Sequence, residues 1–195
     1  MRVNSYDYNN ETASVQSAIK MTSHDPHEFS EHYHLSKHTR DDAPQIVESL
    51  SNELIAKQLR AVPHPYNLSH ALLWFDQLDE DQKTPDIAPL RWCIRETSSR
   101  KLIGDISLKS MVDGRYQLGY WLAHEYWGKG IMTDAVAAVF KIVKREKTKV
   151  RKILVCMKEG NLGSRRVIEK LGFKAIGEHE EGNPAYLVLD FERDL

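Results

Sequence analysis

One α/β domain built on a mixed sheet is the architecture this chain predicts, and three patterns predict it. The middle of the chain reads as strands joined by short turns, the mark of an antiparallel meander. A long amphipathic helix then separates a strand from a second, wholly apolar one, which makes a β-α-β unit. That second strand, Lys152-Ile-Leu-Val-Cys-Met157, lacks polar alternation, as a strand covered on both faces requires.

Residues 1–30 are rich in Asn, Ser, Thr, Asp and His and read as a flexible polar extension, with a short helix over 13–21. The domain proper takes residues 31–195. Its first strand covers 31–38, where Tyr33 and Leu35 alternate with His32 and His34. Thr39, Asp41 or Asp42 caps a helix over 42–50, and a second helical piece covers 52–60 before Pro63-His-Pro-Tyr66 breaks it. Ser69 opens the next helix, with Leu72, Leu73, Phe75 and Leu78 as its apolar face, and the charged stretch 80–89, with two prolines, is a loop.

Strands over 90–96 and 101–108 pair across Thr97-Ser-Ser-Arg100, and Val112-Asp-Gly114 turns into a strand over 115–122. The long helix covers 130–147, with Ile131, Met132, Ala135, Val136, Val139 and Val143 recurring at three and four residue spacing. Asn161 or Ser164 caps a further helix that ends at Leu171-Gly172. Strands over 173–178 and 185–191 close the chain as a hairpin across Glu181-Gly-Asn-Pro184. No internal repeat is present.

Composition bounds the function. The chain has 195 residues, enough for one sizeable core, with 27 basic and 28 acidic side chains. A net charge of −1 gives no general attraction to nucleic acid or to an acidic membrane. The apolar runs are too short to span a bilayer, and the polar start shows no secretory signal. Cys93 and Cys156 sit in apolar strands without metal-like spacing, which points to buried thiols, a reducing compartment, and so cytosol or nucleus. His24, His27, His32, His34 and His38 lack acidic or thiolate partners at ligand spacing, so no metal is expected.

The feature that carries chemistry is Trp127-Gly-Lys-Gly-Ile-Met-Thr-Asp134, where a strand feeds two glycines directly into a helix. The first helical turn has backbone N–H groups without intrahelical partners, and the helix dipole adds positive potential there. Glycines at 128 and 130 let phosphate oxygens approach that turn, and Lys129 adds a cation. A tight strand-to-helix turn explains the same glycines structurally. Neither G-x-x-x-x-G-K-[ST] nor G-x-G-x-x-G is present, which sets aside a P-loop and a dinucleotide fingerprint.

The run from Leu118-Gly-Tyr-Trp-Leu122 through Trp127-Gly-Lys-Gly130, followed by Asn161-Leu-Gly-Ser164 and Glu169-Lys-Leu-Gly-Phe173, resembles the GNAT superfamily of N-acetyltransferases, most of all its RimJ/RimL-like branch. Arg40, Asp42, Pro63-His-Pro-Tyr66 and Trp74-Phe75 are similar to that branch as well, so the resemblance covers about residues 31 to 195. It implies a splayed mixed sheet flanked by helices. Acetyl-CoA would lie in the splay as acetyl donor, with no metal. Backbone at Trp121, Leu122 and Ala123 would pair with pantetheine, and Gly128, Lys129, Gly130, Ile131, Met132 and Thr133 would hold the pyrophosphate. Asn161 and Ser164 would lie near the thioester. The family's pattern has Gln or Arg three residues before the first glycine, where this chain has Glu125, which cannot donate to phosphate.

The reaction so implied is direct attack of a neutral amine, from a peptide N-terminus or a small molecule, on the acetyl group in a ternary complex. The amine must first lose a proton, and Glu125, His124 and Asp105 are the candidate acceptors by location. A backbone N–H near Leu122 would meet the developing oxyanion. The post-helix tyrosine many members use towards the departing thiolate is missing from Leu171-Gly-Phe-Lys174, and Ser164 is its replacement, or only a helix cap. The missing tyrosine also leaves a second reading, a catalytically weak or inactive GNAT-fold module that binds acyl-CoA. The basic stretch 141–151 is a solvated helix end or a contact for the CoA 3′-phosphate. Monomer and homodimer both fit the sequence.

Overall fold

The computed structural model describes residues 27–84, 88–111, 114–146, 150–182 and 185–195; the helix expected over 13–21 lies outside them. Eight described strands form a single sheet in the order β1-β2-β3-β4-β5-β6-β8-β7. They are β1 (His27–Glu28), β2 (Tyr33–Ser36), β3 (Leu90–Glu96), β4 (Leu102–Ser110), β5 (Tyr116–Leu122), β6 (Lys152–Lys158), β7 (Lys174–Glu181) and β8 (Tyr186–Asp194). Every neighbouring pair is antiparallel except β5 and β6. The two-residue β1 was not expected. It falls inside the stretch read as an extension, with His27 opposite Leu35.

Helices cover both faces. On one lie α4 (Ile131–Arg145) and α5 (Leu162–Lys170). The α4 stripe of Ile131, Met132, Ala135, Val136, Val139 and Val143 packs on Trp92, Ile94, Ile106, Leu118 and Ile153 of the sheet. Burying each of the larger of these side chains stabilises by about 1.5–3 kcal/mol. The other face carries α1 (Ala43–Leu50), α2 (Glu53–Ala56) and α3 (Leu68–Asp81), around Ile46, Ile55, Phe75, Cys93 and Leu102.

The inner stripe of α3 is Ala71, Trp74, Phe75 and Leu78, a run of i, i+3, i+4, i+7, while Leu72 and Leu73 point outward. Its cap is Asn67, whose Oδ1 accepts from the His70 N–H at 3.2 Å, so the helix begins before Ser69. Helix α2 is one turn, not the nine residues expected. It ends at Ala56 because the chain breaks into successive tight turns, Gln58 N–H to Ile55 O and Leu59 N–H to Ala56 O.

A buried ion pair ties α1 to the sheet. Asp42 accepts from both ends of the Arg95 guanidinium at 2.7 Å and from the Thr39 N–H at 2.7 Å. Burial works against its charge, but these hydrogen bonds prevail and hold the carboxyl below the usual carboxylate range. Among the described residues no helix is long and apolar enough to cross a membrane.

Candidate acetyl-CoA cleft

The only parallel neighbours in the described sheet, β5 and β6, are paired just at Tyr116 with Ile153 and Gln117 with Leu154. Beyond that point β5 continues to Leu122 and β6 to Lys158 with no ladder between them, so the sheet opens as a V. A cavity of about 650 Å³ fills the opening. Tyr120, Trp121 and Leu122 line it from the strand; Trp127, Gly128, Gly130, Ile131, Met132 and Thr133 from the turn and the start of α4; Asn161 and Ser164 from α5. Ile55, Gln58 and Leu59 close it from the side of α2.

The glycine turn is held from the strand end. The Trp127 indole N–H donates to the Leu122 carbonyl at 2.7 Å, so the chain folds back on itself before entering α4. Gly128 and Gly130 have φ of +76° and +81°, which side chains with a Cβ rarely adopt, and a Cβ on either would meet nothing within 4 Å. No side chain caps α4, whose N-cap is Gly130. Ile131, Met132 and Thr133 line the cavity, and as first-turn residues their N–H groups have no intrahelical partner and lie at the positive end of the helix. That geometry suits a diphosphate.

Two other residues expected at the cofactor sit beside the cavity, each next to a residue that lines it. The Ala123 N–H donates to the Ile103 carbonyl at 2.7 Å and the residue does not line the cavity. Lys129 is exposed, with its ammonium 5.2 Å from the Tyr126 ring, and is likewise not part of the wall.

On α5, Asn161 is the cap: its Oδ1 accepts from the Ser164 N–H at 3.0 Å. Ser164 is the third residue of the helix, and its Oγ lies 2.7 Å from the Tyr120 hydroxyl. Burial pushes that phenol up to about 12. Sequence reasoning gave Tyr120 no role beyond its place in the Leu118–Leu122 motif, and it missed Arg166 and Lys170, one helical turn apart on α5, both of which line the cavity. The i, i+4 spacing of two cations after Asn161 and Ser164 was the available signal.

The three candidate proton acceptors have different surroundings. Glu125 is exposed on a 3₁₀ turn (His124–Tyr126), where a backbone hydrogen bond and Lys101, 3.3 Å away, lower its carboxyl; it does not line the cavity. His124 is exposed too, its ring 4.9 Å from the Trp127 indole, and is equally outside the wall. Asp105 is buried directly across the ladder from Trp121, on the face under α1–α3, and does not line the cavity either. His38 Nε2 lies 2.8 Å from its Oδ2, though without hydrogen-bond alignment, and Trp74 packs edge-on against that imidazole.

Beyond α2 a set of polar contacts crosses the V. Arg60 grips the Glu181 carboxylate at 2.6 and 2.7 Å, and Tyr186 donates to the same carboxylate at 3.1 Å. Lys158 Nζ donates to the Lys57 carbonyl at 2.9 Å. The segment after α2 is thereby strapped to the last hairpin.

Lys141 and Arg145 line a separate groove with His27, Glu28 and Phe29, so the basic end of α4 is not brought to the cleft. Cys93 and Cys156 are free, and burial raises both thiols to about 11. Among the described residues no group of His, Cys, Asp and Glu gathers as a metal-ligand set.

A mixed sheet opened at its one parallel pair, with a glycine-capped helix in the gap, defines the class of acetyltransferase folds. The chain belongs to the acetyltransferase (GNAT) domain family, whose model matches residues 33–174. The Bacillus subtilis (strain 168) protein "Probable N-acetyltransferase YjcK" is 41% identical over 88 residues, 44% of this chain and 45% of that protein, so the match spans less than half of the relative. Two solved structures share the fold. The ribosomal-protein-S5-alanine acetyltransferase from Vibrio fischeri superposes with a TM-score of 0.73 at 22% identity, covering 87% of this chain and 96% of that one. RimL, a ribosomal L7/L12 alpha-N-protein acetyltransferase in complex with coenzyme A, gives 0.74 at 17% identity, covering 88% and 98%.

Proposed function

We propose that the chain is an acetyl-CoA-dependent N-acetyltransferase acting on a primary amine. The observation that carries this reading is one cavity bounded at one end by the bare N-terminus of α4 and farther along by the Tyr120–Ser164 hydroxyl pair. The first is a place for pyrophosphate and the second a place for a leaving sulfur. Arg166 and Lys170 supply cations for the remaining phosphate charge, in the role first given to the far end of α4.

The acceptor amine comes to the opposite side, beneath Ile55, Gln58 and Leu59. Asp105, itself outside the wall, is our choice of proton acceptor, because its ladder partner Trp121 lines the cavity and its Oδ2 has no aligned partner, and it would take the proton through water. Glu125, exposed and paired with Lys101, is left out. RimL, which shares the fold, is an alpha-N-protein acetyltransferase, and this favours a peptide N-terminus over a small amine as acceptor.

Acetyl-CoA titration tests the cleft: saturable binding at tens of micromolar or tighter is expected, and its absence overturns the reading. CoA release over a panel of peptides and amines tests turnover. Release no faster than background hydrolysis across the panel would make the chain a binding module.

A further inference from the structure

The hydroxyls of Tyr120 and Ser164, 2.7 Å apart, share one hydrogen between them, and whichever group donates it decides what the other has left. A phenol, with a reference pKa of about 10, is a stronger donor and a poorer acceptor than an aliphatic hydroxyl. Tyr120 is therefore the donor, and Ser164 keeps its own hydrogen for a third group. The nearest other acceptor for the phenol is the Ser164 carbonyl at 3.4 Å, a longer contact to the same residue. Desolvation pushes the phenol up to about 12, so it holds its hydrogen throughout the neutral and mildly alkaline range. Ser164 is fixed from the other side by its N–H to Asn161.

We propose that Tyr120 is a positioning residue which, by donating to Ser164 Oγ, aims the serine hydrogen into the cleft at the sulfur of a CoA-type ligand. The inference rests on the reading of the cleft as a CoA site. Ser164 is the group that touches the ligand. Tyr120 acts through it, holding its rotor so that a thiolate leaving the acetyl group meets a hydrogen-bond donor already in place.

The test needs no acceptor. Free CoA and desulfo-CoA are titrated into the protein by calorimetry at pH 7, where a thiol is protonated, and at pH 9.5, where the thiolate is populated; a cysteine thiol ionises at about 8.5, and the pantetheine thiol, without flanking peptide groups, somewhat higher. A donor aimed at sulfur favours the thiolate and lowers its pKa in the bound state. Affinity for CoA should then tighten with pH, about tenfold relative to desulfo-CoA, as a hydrogen bond to a charged group allows. Titration of Tyr126, Arg166 and Lys170, the other titratable groups in the wall, affects the part common to both ligands alike, while the pull of the two cations on the thiolate is common to wild type and variants, so the variants isolate the serine.

In Tyr120→Phe the ring still fills its place, so desulfo-CoA should bind within twofold of wild type while the tightening of CoA is lost. Ser164→Ala should lose it equally, and the double variant should lose no more. Tightening retained in Tyr120→Phe, or absent from wild type, overturns the assignment. If neither ligand binds wild type at either pH, the reading of the cleft itself fails, and the positioning role with it.

Discussion

A Cβ on Gly128 would meet no atom within 4 Å, so that position has room for bulk and is restricted by backbone and charge. Its φ of +76° makes any L side chain there cost about 1–2 kcal/mol, less than the stability of an ordinary domain. Gly128→Glu should therefore fold, yet set a carboxylate before the N–H groups that await phosphate. Acetyl-CoA affinity should fall by two orders of magnitude or more in a fluorescence titration, while Gly128→Ala stays within about tenfold. Equal affinities for the two variants would show that phosphate does not sit on this turn. Gly104 is limited in the other way: a Cβ there would lie 2.6 Å from the Trp121 carbonyl oxygen and 3.0 Å from a Leu122 methyl. Gly104→Ala must push β5 off β4 beside the cavity, and a loss of about 1–3 kcal/mol is expected from urea unfolding. The glycine turn was legible in sequence because backbone requirements leave glycines behind. Tyr120 was not, since its role depends on a contact with a residue 44 positions away across the gap.

Elements with one strong period were legible, and those shaped by a distant partner were not. Helix α4 follows its apolar spacing, and β6 its unbroken apolar run, because burial alone decides both. For α3 the element was right and the face wrong: four large apolar residues offer two overlapping stripes, and only packing against Cys93 and Leu102 selects Ala71, Trp74, Phe75 and Leu78. Helix α2 was overextended because Arg60 belongs to the last hairpin, through Glu181. That strap is partly exposed, so Arg60→Ala should lower global stability by only about 1 kcal/mol. Its effect should be local. Amide exchange over residues 53–60 should rise severalfold, with β6 unchanged. Uniform acceleration across the sheet would mean that the strap holds the whole domain together.

At the scale of the molecule, the sheet is two antiparallel halves joined by two parallel residue pairs, β1 to β5 on one side and β6 to β8 on the other. Cavity and fold share that seam, so the helices on both faces carry the task of keeping the halves together. The Asp42–Arg95 pair anchors one set of helices, and its charge state links domain stability to acid. Hydrogen bonds hold the Asp42 carboxyl below its usual range in the folded protein, so at low pH the unfolded chain takes up its proton first. Stability from this group is then fully present above an unfolded pKa of about 3.9 and is lost as pH falls through the lower folded value. Asp42→Asn removes the charge but leaves Arg95 buried, which should cost about 3 kcal/mol at pH 7. The difference should persist unchanged down to about pH 4 and shrink below it, as wild type itself gives up the ion pair. Urea midpoints for both proteins between pH 7 and pH 2 measure this directly. Parallel curves that never converge would assign the cost of the variant to packing around α1 and free the acid response of the domain from Asp42.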